Sequence, residues 1–117
     1  MTVSTAMLIG WLTAAGYGPP QRAAVLHHAW VESHMQSDVI SPSGRHVGLW
    51  QWQGPRRAGL IRYALSRGRQ WTDAVTQFEF MDSEARSFPG MRAFFRTTSA
   101  GAAIVIFCRQ FERRARC

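Results

Sequence analysis

Through most of the chain, apolar residues return every three to four positions, the spacing of amphipathic helices. A first helix is predicted from Ser4 or Thr5, either of which can cap it, to about Ala15. Leu8, Leu12 and Trp11 form its apolar stripe. Gly16-Tyr17-Gly18-Pro19-Pro20 ends it, and Pro20 suits the first turn of a second helix reaching His34. Ala23, Leu26, Trp30 and His34 follow one face of that helix, and Val25, Ala29 and Glu32 an adjoining one. A third helix is expected over Pro55 to Arg67, with Gly68 as its stop. Leu60, Ile61, Ala64 and Leu65 point inward there, while Arg56, Arg57, Arg62 and Arg67 lie mostly outside. Thr72 or Asp73 caps a fourth helix running to about Ala85, with Val75, Phe78, Met81 and Ala85 toward the core. Pro89 opens a short segment holding Met91, Phe94 and Phe95, and Ser99 caps a last helix with Ala103, Ile104, Phe107 and Phe111.

The stretch between the second and third helices breaks this pattern. Ser37 to Gly44 is turn-rich, most clearly at Ser41-Pro42-Ser43-Gly44. From Arg45 to Gln53, Val47, Leu49 and Gln51 alternate with Gly48, Trp50 and Trp52, which predicts a short β-hairpin or extended excursion. The run is too short to found a sheet. The fold class is therefore mainly α: one small helical domain over residues 1–117, with an irregular lobe after helix two. No internal repeat or linker divides it.

Composition narrows the function classes. A chain of 117 residues with 46% apolar side chains, five Trp and seven Phe folds around one core. Fourteen basic residues, all Arg, against seven acidic ones give a formal charge of +7. That balance favours a polyanionic partner: nucleic acid, an anionic membrane surface or an anionic wall polymer. No zinc finger, RNA-binding aromatic motif or helix-turn-helix spacing accompanies the arginines, so nucleic acid is not expected as a partner. No apolar run approaches a membrane span, so stable membrane insertion is not expected either. The opening residues lack a basic leader and read as a helix, not a signal peptide. His27 and His28 are adjacent and point different ways on a helix, and no Cys pair has zinc-site spacing, so neither metal nor cofactor is expected. A bond between Cys108 and Cys117 would close a small loop at a frayed end, and two free thiols are expected.

Of the seven acidic residues, Asp73 and Glu79 fit exposed helix positions. Glu112 fits a surface ion pair among arginines, and Glu84 an interior partner for an Arg. Glu32 stands apart. It lies near the C-terminal end of the most apolar helix, where the helix dipole disfavours a carboxylate, and a turn-rich segment follows at once. Partial burial there suits a carboxyl group to general acid work. The bland alternative is a rim carboxylate paired with an arginine.

Four blocks resemble the phage tail-associated lysozymes, within the lysozyme-like muramidases. Ala29-Trp30-Val31-Glu32-Ser33-His34-Met35-Gln36-Ser37-Asp38 is similar to the E-S signature. Gly48-Leu49-Trp50-Gln51-Trp52-Gln53-Gly54-Pro55-Arg56-Arg57 resembles a G-L-x-Q-W-x-G-x-R block. Gln77 to Glu84 resembles a Q-L-x-F-L-x-x-E helix, and Ala102 to Arg113 an A-A-x-x-F-x-x-x-F-E-R-P ending. Their order and spacing extend the resemblance from about Leu8 to Arg113. His34 stands where glycine is common after E-S, Trp50 where a small or aliphatic residue is usual, and Arg114 where Pro follows.

The resemblance implies a peptidoglycan muramidase with Glu32 as its catalytic acid. Gln51 and Trp52 take the cleft glutamine and tryptophan, and Arg56 or Arg57 the arginine after them. Asp38 is the nearest acidic residue that could handle water. A carboxyl separation of about 6.5–9.5 Å would imply inversion, and about 5–5.5 Å retention. Elimination as in a lytic transglycosylase, or use of the substrate's N-acetyl group, would leave Glu32 as the only essential carboxylate. Ser33 and His28 are further candidates at the substrate, His28 also as a core or rim residue, and Trp50 is assigned to packing. The implied partner is bacterial peptidoglycan, with other phage tail or lysis proteins as further candidates. The implied setting is a phage tail or host cell, acting in the periplasm or wall. The rival is a non-catalytic, glycan-binding tail component of the same shape.

Overall fold

The computed structural model describes residues 1–117 and is mainly helical. Four longer helices are α1 (Thr5–Ala14), α2 (Pro19–Ser33), α3 (Gly54–Ser66) and α4 (Ala74–Ser87). A 3-10 turn, Pro89–Met91, leads into α5 (Arg92–Arg96) and α6 (Ala100–Ile106), and α6 runs on as a π-helical turn, Phe107–Phe111. Local chemistry sets the boundaries. Ser4 caps α1 by accepting from the Met7 N–H, and Ser99 caps α6 by accepting from Ala102. At the start of α4, Asp73 accepts from both the N–H and the hydroxyl of Thr76, which holds its carboxyl below the usual carboxylate range. α1 closes at Gly16, whose left-handed φ lets Gly16 N–H reach Thr13 and Tyr17 N–H reach Leu12.

The chain forms two compact units. The first comprises Met1–Val3 and Ala29–Met81; the second comprises Ser4–His28 and Asp82–Cys117.

The second unit is built from helices and rings. Leu8, Leu12, Ala24, Val25, Met91, Phe94, Phe107 and Phe111 are buried in it. Phe107 stacks on Phe111 at 4.5 Å, and Tyr17 meets Phe95 edge-on at 5.4 Å. Two buried polar groups on α2 find distant backbone acceptors: Gln21 Nε2 donates to the Phe94 and Thr97 carbonyls, each at 2.8 Å. Tyr17 donates its hydroxyl to Asp82 at 2.7 Å, and burial together with that carboxylate raises the phenol far above its usual range. Arg86 braces the same corner through Asp82 and the Ala15 carbonyl.

The first unit is less regular. Val47, Leu49, Trp50, Trp52, Leu60, Ala64, Phe78 and Met81 fill its interior. The expected hairpin reduces to single antiparallel bridges, Ile40 with Val47 and Val47 with Trp52. Left-handed φ at Gly48 and Gln51 turns the chain back between Val47 and Trp52, so extended pairing stops there. Alternation is absent too, because Val47, Gly48, Leu49, Trp50 and Trp52 are all buried.

Several inward faces differ from expectation. On α2 the buried set is Gln21, Ala24, Val25, His28, Ala29 and Ser33, while Ala23 and Trp30 are exposed. Polar residues occupy this stripe because backbone carbonyls satisfy them. Leu65 on α3 is 70% exposed and Val75 on α4 is exposed, where Thr76 and Gln77 are buried instead. The cysteines also correct the expectation of free thiols: Cys108 and Cys117 form a disulfide. After the π-helical turn the chain reverses at Arg113 (φ 57°), Arg114 N–H bonds the Cys108 carbonyl at 3.1 Å, and the two cysteine Cα atoms lie 5.9 Å apart.

Candidate active site

Six of the seven candidate site residues belong to the first unit, and His28 belongs to the second. Glu32 sits half-buried in the last turn of α2. Directly after it, the Ser33 hydroxyl bonds back to the Ala29 carbonyl at 2.8 Å and is buried. His34 and Met35 then both adopt left-handed φ, 51° and 63°, which turns the chain sharply away from the helix. At His34 the backbone thus takes a conformation that L side chains resist and glycine adopts freely. Met35 is buried, its carbonyl accepts from Val3 N–H at 2.8 Å, and the Ser37 N–H bonds Met1.

Asp38 ends this turn. It is 57% exposed and pairs with the Met1 ammonium at 3.0 Å, and that hydrogen bond holds its carboxyl below the usual carboxylate range. It is ionised at neutral pH.

His28, one turn before Glu32, is buried. Its Nε2 lies 2.9 Å from the Ile104 carbonyl, so Nε2 carries the proton and donates. Its ring stacks on Phe107. Burial pushes its pKa below the ordinary histidine value, with smaller downward effects from His27 and Arg114, against the upward pull of the Ile104 bond. The ring is neutral and directed into the second unit's core.

The loop from Val47 to Trp52 is closed at its ends by two backbone hydrogen bonds, Val47 N–H to Trp52 and Trp52 N–H to Val47. Gln51 is half-buried at φ 54°, and its Nε2 donates to the Gly48 carbonyl at 3.0 Å. The Trp52 ring is buried edge-on between Trp50 and Phe80, with both ring centroids 5.7 Å away. Arg56 is half-buried in the first turn of α3.

A residue outside the seven candidates holds this loop in place. Gln77 on α4 is fully buried. Its Oε1 accepts from Leu49 N–H at 2.9 Å, and its Nε2 donates to the Ser37 and Trp71 carbonyls, each at 2.7 Å. One amide thereby fixes three separate stretches of irregular backbone. Gly48 lies directly over it: a Cβ there would fall 2.8 Å from Gln77 Oε1, and φ is +81°. The available signal was a glutamine between Ala74, Phe78 and Met81 on the inward side of a helix.

No group of three or more His, Cys, Asp or Glu side chains is placed to hold a metal ion. No helix is long and apolar enough to cross a membrane.

The first unit thus holds a glutamate closing a helix, a left-handed turn after it and a tightly folded Gly-Leu-Trp-Gln-Trp loop. The family model for phage tail lysozymes matches residues 5–117, and the chain belongs to that family. No curated protein matches the sequence significantly. Family membership implies a lysozyme-type glycosidase with peptidoglycan as substrate, in a phage tail component that acts on the cell wall.

Proposed function

We propose that the protein is a muramidase that cleaves the β-1,4 bond between N-acetylmuramic acid and N-acetylglucosamine, with Glu32 as general acid. The observation that carries this reading is the position of Glu32. It is half-buried at the end of α2, in the same unit as the loop holding Gln51 and Trp52. Glycoside cleavage needs a proton on the bridging oxygen and negative charge beside the oxocarbenium-like transition state. Glu32 supplies the proton. Asp38, kept ionised by its ammonium partner, supplies the second carboxylate and acts on water. The half-buried amide of Gln51 bonds an acetamido group, and Arg56 meets a carboxylate of the strand. Trp52 shapes the loop from inside. Ser33, committed to the Ala29 carbonyl, holds the end of α2 and so positions Glu32. Hydrolysis is preferred to transglycosylation because Asp38 provides a charged group for water. The reaction takes place in the periplasm or wall of the host, reached with other phage tail or lysis proteins.

Glu32→Gln tests the reading, since shape and volume barely change. Loss of general acid catalysis lowers wall clearing by about 10²–10⁴-fold while the thermal transition stays in place. Undiminished clearing by the variant would rule out the assignment. A non-catalytic glycan binder predicts no clearing by either protein. Mass spectrometry of the products separates the chemistries: reducing ends mark hydrolysis, anhydro-sugars transglycosylation.

A further inference from the structure

A groove opens on the first unit beside the loop that carries Gln51; of the candidates only Arg57, the alternative to Arg56, lines it. One rim is the turn at Gly44 and Arg45; the other is the start of α3, with Arg57, Ala58 and Ile61, and Gln53 closes one end. Arg57 Nη1 donates to the Gly44 carbonyl at 2.7 Å, which ties the two rims together and fixes the guanidinium. The other guanidinium donors of Arg57 remain for a ligand. Arg45 is exposed on the opposite rim, and no carboxylate pairs with it. Between Asp38 and Asp73 the chain has six arginines and no acidic residue. Ala58 and Ile61 add apolar surface beneath the two cations.

Two arginines and apolar side chains lining one groove suit a ligand that carries a carboxylate next to a small apolar group. We infer that this groove receives the carboxylate of the acyl arm on a muramic acid residue, with Arg57 as fixed anchor and Arg45 as the second cation. The inference rests on the muramidase reading and extends it, because it makes the side arm of the glycan a determinant of recognition. Two sources carry this chemistry, the lactyl carboxylate of a peptide-free strand and a carboxylate of the stem peptide.

The test uses full-length Glu32→Gln protein, which leaves the glycan intact, and three probes: a chitin oligomer with no carboxylate, a peptide-free muramyl glycan and a peptide-bearing muropeptide. Adding Arg57→Gln is expected to weaken binding of a carboxylate probe roughly tenfold, the loss of one charge-assisted hydrogen bond. Chitin binding stays unchanged. Arg45→Gln, which removes no side-chain hydrogen bond or ion pair of the fold, gives a smaller loss that fades at high salt. Arg57→Lys separates the fixed fork from mere charge and recovers only part of the affinity. A response confined to the peptide-bearing probe assigns the groove to the stem peptide; a response with the peptide-free strand assigns it to the lactyl group. Unchanged carboxylate binding in both variants, equal weakening of all three probes, or no binding of any glycan would overturn the inference. Failure of the muramidase reading shows separately, as wall clearing by Glu32→Gln alone.

Discussion

The two units solve the problem of buried backbone by opposite means. In the second, helices satisfy their own amides and the interior is filled with rings, Phe94, Phe107 and Phe111 chief among them. In the first, much of the backbone from His34 to Gln53 is irregular, and its buried N–H and C=O groups need outside partners. Backbone carbonyls elsewhere in the unit supply many of them, and side chains, above all Gln77, supply others. Seven of the nine left-handed residues fall in the first unit. Charge divides as well: the second unit holds eight of the fourteen arginines and only three acidic residues. Glu32 and Asp38 thus lie in the unit whose shape depends on specific polar contacts, where small substitutions have large consequences.

The strongest way to break this contrast is Gln77→Leu. Leucine fills similar space but strands the Leu49 N–H and the carbonyls of Ser37 and Trp71. Each buried orphan costs about 1–3 kcal/mol, so a loss of about 3–5 kcal/mol is expected. Amide exchange should show residues 47–52 losing protection first, while α6 keeps its own. Denaturant unfolding with a loss below about 1 kcal/mol would mean that the loop is held by its tryptophans instead.

That contrast also explains what the sequence revealed. Caps and stops depend on neighbours a few residues away, and Ser4, Gly16, Gly68, Asp73 and Ser99 all act where the pattern put them. The inward face of α2 was hidden because Gln21 and His28 are satisfied by carbonyls of Phe94, Thr97 and Ile104, more than seventy residues away. A polar residue in an apolar stripe looks like an error until its acceptor is known. The candidate site was legible in the same proportion. Glu32 at a helix end could be read from spacing. The burial of Trp52, the ion pair of Asp38 and the role of Gln77 depend on folded contacts that no periodicity encodes.

The disulfide sharpens the comparison from the other side, since the first unit contains no cysteine. Cys117→Ser opens a loop with a sequence separation of nine, worth about 2.6 kcal/mol by chain entropy. The expected result is a lower thermal midpoint, with faster exchange in residues 100–111 and unchanged protection in residues 47–52. The same shift should follow reductant in the parent protein. Faster exchange in the loop instead would show that the two units do not respond independently.

His28 gives the second unit its own response to pH. Burial lowers its pKa in the folded state, so the unfolded chain binds a proton more readily. Stability therefore falls as pH drops below about 6.5, the ordinary histidine value, and is fully present above it. One proton sets a ceiling of about 1.4 kcal/mol per pH unit. His28→Phe should flatten that slope between pH 7 and pH 5 in urea titrations, and an unaltered slope would assign it to other groups.

The smallest effect is expected at His34, where the first unit uses strained backbone beside Glu32. An L residue in left-handed conformation costs about 1–2 kcal/mol, and glycine adopts it freely. Against that gain stand the edge contact of the His34 ring with Trp30, 5.5 Å between centroids, and the greater freedom of glycine in the unfolded chain. His34→Gly should therefore stabilise the protein by up to about 1 kcal/mol, read from the urea midpoint, with wall clearing unchanged. A stabilised variant with reduced clearing would mean that the His34 side chain itself serves the site. Destabilisation would mean that the Trp30 contact outweighs the strain.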